Sequence, residues 1–591
     1  MEIYKGISAN PGIAVGPAYH FNRALIVAED RDLAQVDIAE ELIHFDESIA
    51  KAKIEMEKIS RIAEQKAGTH GAAIFEAQKM MIEDKYFLDS IRYRIKNELK
   101  SAAFIIDAEF TKQQHILETS ESPLMRERVD DVEDVKQRLL RHLLRKEKLL
   151  SILQEPAIVV AEFLTPADAI LFAKEELLGF AMDGGGATSH VSILARSAGL
   201  PAIVALHSAA SHVDSGDIVI IDGDEGKLII SPDKETLSFY KEKQIKQSES
   251  AKKDLLDGRF TYPPKTIDGH EIALSMNMEL IGEEAIQQAE KRSKVKGKSV
   301  VGLGLVRTEH FLNANDEIPS EPEQTRIYTE LARRFSPAHV TIRTFDIGGD
   351  KFIGGGFREK NPFLGWRGIR ISLDEPETFL AQTRSILRAS VHKNVKVMLP
   401  MVTSVDELDK TLHFINTAKV ELRGRGEEFD ENIPIGVMIE VPSAALMADA
   451  FAKKCDFLSI GSNDLTQYTL AVDRGNEFIV HLFDELHPAV LRLISETVIA
   501  AHRHKKPVSL CGEIGSKNLA LPVILGLGID EVSLSPLRIG EVAKLIGKLQ
   551  QTKAKSLVKK ILEDASTASQ AKEMVVDFMV KNDLEKSFIH K

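Results

Sequence analysis

The chain has 591 residues, of which 43% are hydrophobic, 28% are charged and 6% are aromatic, and its formal net charge at pH 7 is −13. This composition is typical of a globular protein, and at roughly 150 residues per domain the length indicates about three or four domains. The acidic balance argues against nucleic acid as a main partner. Two cysteines exclude a disulfide scaffold and a four-cysteine zinc site. The chain has neither an apolar run of about 18 residues nor a signal-peptide pattern, so we expect no membrane span and a cytoplasmic location.

A short β pattern opens the chain over residues 1–20, and a helical pattern follows over about 28–150. In AEELIHFDESIAKAKIEMEKISRIAEQ, apolar residues recur at spacings of three and four, which predicts a helical bundle. From about residue 150 the pattern returns to strands and turns, and it includes the hairpin sequence DIVIIDGDEGKLIISP. We therefore predict an α/β domain of residues 1–20 and 146–232, with a helical domain of residues 21–145 inserted into it.

A charged helical segment, residues 233–262, is predicted to link this part to a C-terminal half in which strands and helices alternate. The candidate strands are EIALSMNM, SVVGLGL, HVTIRTFDIG, VKVMLPMV, IPIGVMIEV, FLSIGSNDL, PVSLCGEI and EVSLSP. Continuous Val, Ile and Leu runs are typical of strands covered on both faces, as in parallel sheets. Eight such strands predict a (β/α)8 TIM barrel over residues 263–575, with a doubly wound sheet as the alternative.

Polar residues cluster where the predicted barrel strands end, which is where TIM barrels place their active sites. Arginine pairs bidentately with phosphate or carboxylate, carboxylates supply the oxygens that Mg²⁺ prefers, and a cysteine with a tuned pKa can donate a proton or act as a nucleophile. Taken singly, most of these residues are better explained as salt-bridge partners or core residues, so the prediction depends on their joint placement. The cluster comprises Arg307, Glu309, Arg343, Asp346, Glu440, Asn463, Asp464, Arg474, Cys511 and Glu513.

A second candidate site is the sequence Gly-Gly-Gly-Ala-Thr-Ser-His, which ends at His190. Its glycines allow the backbone to approach a ligand closely, and Thr188 or Ser189 can cap the helix that follows. His190 would then lie in the first helical turn, where free N–H groups favour a negative group. A neutral imidazole there can accept a phosphoryl group. A lone histidine at a helix start is more often structural, and here the surrounding pattern favours the chemical interpretation.

These motifs resemble a known family. GGGATSHVSILARSAGLPAIV is similar to the phosphohistidine signature of the phosphoenolpyruvate-utilising enzymes, and their barrel motifs resemble GLGLVRTEHFL, IRTFDIGGDK, NPFLGWRGIR, GVMIEVPSAA, LSIGSNDLTQYTLAVDRGN and LCGEIGS. In detail, nearly the whole chain resembles the enzyme I group of bacterial phosphotransferase systems. The resemblance implies a swivelling α/β phosphohistidine domain with an inserted helical bundle, then a C-terminal TIM barrel that binds phosphoenolpyruvate and forms a homodimer.

The resemblance also implies roles for individual residues. His190 would be the residue that is phosphorylated, and Cys511 the acid that protonates the enolate carbon. The substrate-binding residues would be Arg307, Arg343, Asn463, Asp464 and Arg474, and the Mg²⁺ ligands would be Glu440 and Asp464. The helical domain would dock the small histidine phosphocarrier protein HPr.

The expected docking helix is FEAQKMMIED. It offers an apolar patch and an acidic set that would complement a basic partner. The apolar residues are Phe75, Met80 and Met81, and the acidic ones are Glu76, Glu83 and Asp84. For each apolar residue taken separately, a place in the bundle core is an equally good interpretation.

Three positions depart from the family pattern. Ala187 stands where a larger, often basic, residue is usual, His310 where an apolar residue is usual, and Ser462 where threonine is common. None of them removes a chemical group assigned above, but Ala187 leaves the reaction rate and the carrier preference open.

Two other functions fit the sequence less well. A dikinase of the same superfamily would need an ATP-grasp domain of a few hundred residues, for which residues 21–145 are too short. A regulatory module that binds phosphoenolpyruvate or a carrier without turnover is disfavoured because every expected catalytic group is present, and no sensory N-terminal extension is expected. The sequence leaves open which carrier is served, and whether the pathway feeds sugar uptake or regulation.

Overall fold

The computed structural model divides into two compact units, Met1–Ile245 and Lys246–Lys591. It describes residues 1–10, 12–21, 26–119, 129–144, 155–165, 168–169, 172, 177–185, 191–192, 195, 200–257, 262–278, 283–295, 298–299, 301–311, 318–348, 361–474, 476, 479–536 and 538–584. Within these ranges no helix combines the length and the apolarity that crossing a bilayer requires.

The first unit is built on a mixed β-sheet. Its strands are β1 (Glu2–Lys5), β2 (Ile7–Asn10), β3 (Ile13–Phe21), β4 (Ala157–Ala161), β5 (Leu177–Met182), β6 (Ala202–Val204), β7 (Ile218–Asp222) and β8 (Lys227–Ile230). They lie in the order β1-β8-β7-β3-β4-β5-β6-β2. Strand β3 pairs in parallel with β4 and antiparallel with β7, so segments far apart in the sequence share one sheet. This pairing confirms the predicted α/β domain with a helical insertion.

The described residues between β3 and β4 lie mostly in helices. They are α1 (Ile38–Glu83), α2 (Lys85–Glu98), α3 (Ala102–Glu118) and α4 (Val129–Leu143). Asp84 separates the first two, because its side chain accepts hydrogen bonds from the backbone N–H groups of Tyr86 and Phe87 and so caps α2. The apolar faces of the helices bury side chains such as Phe45 and Ile91 completely, which is the helix-bundle core that the 3–4 spacing predicts.

The β7–β8 hairpin anchors the helix that follows it. The Asp222 carboxylate accepts hydrogen bonds from the backbone N–H groups of Asp224 (3.2 Å) and Glu225 (3.1 Å), which closes the turn. Gly226 completes the turn at φ +64°, a conformation that suits glycine. The other carboxylate oxygen of Asp222 accepts a hydrogen bond from Lys243 Nζ at 2.9 Å, and both side chains are buried. Lys243 lies on α5 (Lys234–Asp257), so a buried ion pair holds the first half of this helix to the sheet.

The second unit contains a closed barrel of parallel strands. Its strands are β9 (Ala273–Met278), β12 (Gly302–Arg307), β13 (Val340–Arg343), β14 (Val395–Leu399), β15 (Ile435–Ile439), β16 (Phe457–Ile460), β17 (Val508–Leu510) and β18 (Glu531–Leu534), and a small separate hairpin pairs β10 (Lys294–Val295) with β11 (Lys298–Ser299). Strand β18 pairs with β9 and closes the ring. The predicted TIM barrel is confirmed, and closure excludes the doubly wound alternative.

Helices surround these strands. They are α6 (Glu283–Ser293), α7 (Glu321–Phe335), α8 (Ile369–Asp374), α9 (Pro376–Ala389), α10 (Val405–Gly424), α11 (Pro442–Leu446), α12 (Ala448–Ala452), α13 (Ser462–Leu470), α14 (Pro488–Arg503), α15 (Leu521–Leu527), α16 (Ile539–Ile546), α17 (Gln551–Asp564) and α18 (Ala568–Lys581). Several strands end earlier than their sequence patterns predict, because the polar residues after them form turns or begin helices, as α13 does at Ser462. The core between strands and helices is one large apolar cluster.

The buried ion pair of α5 gives a stability prediction. Replacing Lys243 by alanine leaves the Asp222 carboxylate buried without its cation, so the unfolding free energy of the first unit should fall by about 3 kcal/mol. Urea unfolding followed by circular dichroism should show an earlier first transition. The single tryptophan, Trp366, lies in the second unit, so its fluorescence midpoint should not move. Lys241→Ala, at an exposed position two residues earlier, is the control. Equal transitions in the two variants would contradict the assigned role of the pair.

Candidate active site

Two of the predicted arginines meet at one carboxylate at the C-terminal rim of the barrel. Arg307 ends β12 and Arg343 ends β13. Glu309 Oε1 accepts a hydrogen bond from Arg307 Nε at 2.9 Å and another from Arg343 Nη2. Burial opposes ionisation of Glu309, but the charges of Arg343 and Arg307 outweigh it and lower the pKa of this carboxyl group. Glu309 therefore stays ionised and fixes the two guanidinium groups beside each other.

The ion network continues around the rim through alternating charges. Arg343 Nη1 lies 3.2 Å from Asp346 Oδ2, which also accepts from Arg367 Nη2 at 2.9 Å. Arg367 Nη1 in turn lies 3.5 Å from Asp464 Oδ1 and donates to the Tyr468 hydroxyl at 3.0 Å. Only 3% of Arg343 and 7% of Arg367 is exposed, so these charges depend on one another for compensation.

Glu440, which follows β15, is like Glu309 a rim carboxylate with only one of its two oxygens hydrogen-bonded. Its Oε1 accepts from the backbone N–H of Met401 at 2.6 Å, whereas its buried Oε2 has no hydrogen-bond partner. Burial, together with the nearby charges of Asp464 and Asp346, raises the pKa of Glu440. Gly461 makes room for this side chain, because a Cβ there would lie 2.9 Å from the Glu440 Cβ. The site therefore holds a buried oxygen that a cation would satisfy.

Helix α13 begins at Ser462 and brings two of the predicted residues to the rim in its first turn. Asp464 is buried, and although burial opposes its ionisation, the charges of Arg474 and Arg367 lower its pKa. Asn463 exchanges two hydrogen bonds with Glu513, through its Nδ2 to Glu513 Oε1 (3.3 Å) and through its Oδ1 from the Glu513 N–H (3.1 Å). The first turn of α13 is thereby tied to the loop that follows β17.

Cys511 is the first residue after β17, and only 6% of it is exposed. Its Sγ accepts a hydrogen bond from Ser459 Oγ at 3.4 Å and donates to the Ile460 carbonyl at 3.5 Å. Burial raises the pKa of Cys511 to about 11. The group is therefore a protonated thiol at neutral pH, which is the state that a proton donor needs.

Glu485 is a buried carboxylate that sequence reasoning did not identify, and it connects the segments that carry Asp464 and Cys511. Glu485 accepts from Ser462 Oγ at 2.6 Å and from the Ile514 N–H at 3.3 Å, and it pairs with Lys517 Nζ at 2.7 Å. Ser462, one of the departures from the family pattern, thus has a hydrogen-bond acceptor in Glu485. Its hydroxyl also occupies the space where a Cβ on Gly512 would lie, at 1.8 Å.

The other predicted site follows β5. Asp183 comes directly after this strand, and its carboxylate accepts from the backbone N–H of Ala209 at 2.7 Å and from that of Ala210. Gly184 and Gly185 continue the chain toward the predicted phosphohistidine. Residues 186–190, and with them His190 and the Ala187 departure, lie outside the described residues.

The barrel rim therefore brings together most of the predicted residues. Arg307, Arg343, Glu440, Asn463, Asp464, Arg474 and Cys511 all lie at strand ends or in the loops that follow them. Sequence reasoning assigned no role to Arg367 or Glu485, and it placed Glu309 in the rim cluster without a specific role. Arg367 lies within the quoted motif NPFLGWRGIR, and Glu309 within RTEHFL, so those motifs were the available signal. No sequence signal marked Glu485, because the residues that it contacts are 23 or more positions away along the chain.

Comparison with known families accounts for this arrangement. Three family profiles match the chain: "PEP-utilising enzyme, N-terminal" over residues 5–128, "PEP-utilising enzyme, mobile domain" over 153–226 and "PEP-utilising enzyme, PEP-binding domain" over 256–551. The chain belongs to the PEP-utilising enzymes. The PEP-binding profile contains every rim residue described above.

Curated relatives narrow the assignment. The phosphoenolpyruvate-protein phosphotransferase of Bacillus subtilis (strain 168) is 37% identical over 573 residues, covering 96% of this chain and 98% of the relative. That of Haemophilus influenzae is 37% identical over 586 residues, covering 98% and 99%, and that of Staphylococcus carnosus is 35% identical, covering 97% and 98%. The chain is thus an enzyme of this phosphotransferase group, in which phosphoenolpyruvate is the phosphoryl donor and a protein is the acceptor.

Enzymes of this family use a divalent metal. Among the described residues, no group of three or more His, Cys, Asp or Glu side chains is placed to hold an ion. Glu440 and Asp464 nevertheless fit the requirement, because two carboxylates plus substrate oxygens are a usual ligand set for a hard cation. The unbonded Glu440 Oε2 supports the same fit.

The shared carboxylate of Glu309 can be tested directly. Glu309→Gln keeps the shape but removes the charge that holds Arg307 and Arg343 together, so the barrel should lose about 3 kcal/mol of stability. The kcat/KM for phosphoenolpyruvate should fall about tenfold or more, because the guanidinium groups are no longer fixed.

The matched control is Glu330→Gln, which removes a partly exposed carboxylate that pairs with Arg333 and Arg334 on α7. Surface pairs of this kind contribute about 0–1 kcal/mol, so its kinetics should stay at the wild-type level. If the two variants behaved alike in steady-state kinetics, Glu309 would not have the positioning role described here.

Proposed function

We propose that the enzyme phosphorylates itself on His190 from phosphoenolpyruvate, releases pyruvate, and passes the phosphoryl group to a histidine of the carrier protein HPr. This is the first step of a phosphoenolpyruvate-dependent phosphotransferase system for sugar uptake or regulation. The observation that carries the proposal is the buried rim network, which brings arginines, carboxylates and a protonated thiol together at the mouth of the barrel.

Phosphoenolpyruvate binds at the barrel rim, where the cationic groups match its phosphate and carboxylate. Arg307 is the most accessible of the paired arginines, with 32% of its side chain exposed, whereas Arg343 lies behind it. Arg474 and Asn463 contact the substrate from the α13 side. Arg367 joins them as a further candidate, because it already lies between Asp346 and Asp464. Fixed positive charges of this kind offset the charge on a transferring phosphoryl group.

The metal is Mg²⁺, held by Glu440 and Asp464. When bound, Mg²⁺ neutralises charge on the phosphate and on the enolate oxygen. The chain's own contribution is to present two buried carboxylates whose mutual repulsion is relieved by a cation. The Met401 N–H holds one Glu440 oxygen in place, so the other oxygen is free to act as a ligand.

His190 attacks the phosphorus atom in line with the leaving enolate oxygen. The glycine-rich sequence before it, the family resemblance of GGGATSH and the match of the mobile-domain profile over residues 153–226 support this assignment. Cys511 then gives its proton to the carbon of the enolate, and ketonisation to pyruvate drives the reaction forward. The raised pKa of the buried Cys511 thiol supports its role as the acid.

HPr docks on the helical part of the first unit. On α1, 71% of Met80 is exposed, and Glu83 and Asp84 beside it are exposed as well. Met81 instead packs against the bundle core, so the contact is expected to centre on Met80. The side chains of Phe75 and Glu76 lie outside the described residues. An exposed apolar residue with acidic neighbours suits a basic carrier surface.

Each domain of the chain has a role in the proposed phosphoryl transfer. Residues 1–20 and 146–232 form the phosphohistidine domain, 21–145 the HPr-binding domain and 233–262 the linker. Residues 263–575 form the substrate-binding barrel, through which the enzyme dimerises. Exposed apolar side chains on the barrel unit, such as Leu446 (66%) and Met447 (51%), support a second copy as partner. Because phosphoenolpyruvate is made in the cytoplasm, we place the enzyme there.

The identity of the phosphorylated residue can be tested by labelling. With Mg²⁺ and phosphoenolpyruvate carrying a labelled phosphate, the wild-type chain should take up one acid-labile phosphoryl group and give it to added HPr, whereas His190→Ala should take up none. Each of the exposed histidines His207 and His212 gives a matched control, replaced by alanine in the same assay. Stable label on the His190→Ala chain, or loss of label in a control, would contradict the assignment. Label taken up from ATP in place of phosphoenolpyruvate would favour a dikinase.

A further inference from the structure

The interior of the barrel has an apolar side and a polar side. Leu305, Met398, Met438 and Phe457 form a buried apolar cluster with Cys511. The strands from β16 around to β9 instead carry hydroxyl and amide side chains at inward positions, since residues two apart on a strand share a face. These polar residues are Ser275, Asn277, Ser459, Ser509 and Ser533. Cys511 lies where the two sides meet at the rim.

Two of these hydroxyls form a continuous chain that ends at the thiol. Ser509 Oγ donates to Ser459 Oγ at 2.9 Å, and Ser459 Oγ donates to Cys511 Sγ at 3.4 Å. Ser459 is fully buried, whereas Ser509 is half-buried. Both hydrogen bonds run in the same direction, so a proton can move along them toward the sulfur without any side chain changing place.

The lower end of the chain leads toward the opposite face of the barrel. Ser509 stands in register with Glu531 on the neighbouring strand β18. The Glu531 carboxylate lies 2.9 Å from His339 Nε2, and 16% and 23% of these two side chains are exposed. His339 directly precedes β13 and so lies at the N-terminal end of the barrel. Solvent therefore reaches the barrel wall at the end away from the rim.

We propose that Ser509 and Ser459 form a proton relay that restores the proton of Cys511 after each turnover, supplied by solvent from the N-terminal side of the barrel. The inference rests on the proposed role of Cys511 as the acid that protonates the enolate. Each turnover leaves a thiolate behind. Only 6% of Cys511 is exposed, so the hydroxyl chain that ends at its sulfur is the route that the geometry offers.

The step balances as a sequence of proton transfers. The thiolate sulfur takes the Ser459 hydroxyl proton, the Ser459 oxygen takes the Ser509 hydroxyl proton, and Ser509 takes a proton from hydrated solvent protons. Three bonds to hydrogen form and three break, and no electrons are exchanged. Rotation of the two hydroxyls then restores the starting arrangement.

The relay makes a prediction that separates it from a structural role. In the full-length enzyme with Mg²⁺ and phosphoenolpyruvate, Cys511 carries its own proton into the first turnover. Ser459→Ala and Ser509→Ala should therefore form the first pyruvate per site at a rate within about twofold of wild type in rapid-quench measurements. With HPr added to allow repeated turnover, steady-state pyruvate formation should fall about tenfold or more, the usual scale of an acid–base contribution. The ultraviolet absorbance of the thiolate should build up during this phase.

Ser275→Ala is the matched control, because its buried hydroxyl lies on the same side of the barrel but outside the chain from Ser509 through Ser459 to Cys511. It should match wild type in both phases. Steady-state rates at the wild-type level in both relay variants would overturn the relay. Equal slowing of the first and later turnovers would also overturn it, since that pattern means a positioning role.

Cys511→Ala separates failure of the relay from failure of the proposed function. If this variant forms pyruvate as fast as wild type, Cys511 is not the acid, and both the assignment and the relay fall. If Cys511→Ala is impaired while the serine variants are unaffected, only the relay fails.

Discussion

The constraint on which the active site depends is the burial of charge at the rim of the barrel. Arg343 is almost fully enclosed, and it is tolerated there because Glu309 and Asp346 compensate it on two sides. Arg367 and Asp464 extend the same alternation, so each charge is placed by its neighbours. If one charged side chain of the rim is removed, its buried neighbour loses the opposite charge that compensates it, and the folded state is destabilised.

Two rim carboxylates, Glu309 and Glu440, each keep one buried oxygen without a hydrogen-bond partner, and the charge of Glu309 is compensated by Arg307 and Arg343. Glu440 is oriented by a backbone N–H but keeps a buried oxygen without a partner, beside carboxylates that repel its charge. The folded protein therefore carries an unfavourable interaction between carboxylates that a bound divalent cation would relieve. Buried carboxyl groups whose pKa is shifted by neighbouring charges are typical of functional sites.

Much of the fold follows from patterns that a single sequence displays. The eight apolar strands predicted the barrel because each is covered on both faces, and the polar residues after them predicted the rim. The predicted strands extended too far at their C-terminal ends. Ser462 and Glu513 were included in strands but begin helical turns, because the apolar pattern does not show at which polar residue the chain leaves the sheet. The two methionines of FEAQKMMIED could not be assigned to the core or the surface from the sequence either. The rotation of α1 about its axis decides this, and it turns Met80 to solvent and Met81 to the core.

Contacts between loops that are far apart in the sequence could not be predicted from it. Arg367 reaches the site from a loop between a strand and a helix, and nothing in its own segment marks Asp464 as its partner. Glu485 reads as an ordinary surface acid, yet it is buried between the loops that carry Asp464 and Cys511. The hydroxyls of Ser459 and Ser509 belong to separate strands, so only the register of the barrel shows that they meet.

Completion of the rim by a metal together with the substrate is tested most directly by calorimetric titration of the full-length His190→Ala chain, which cannot accept the phosphoryl group, with phosphoenolpyruvate. We expect heat of binding in Mg²⁺ that is lost in a chelator, and we expect Glu440→Gln in the same chain to bind equally weakly in both because its open carboxylate oxygen is gone. Equal affinity for phosphoenolpyruvate with and without the metal in the chain that keeps Glu440 would contradict the claim.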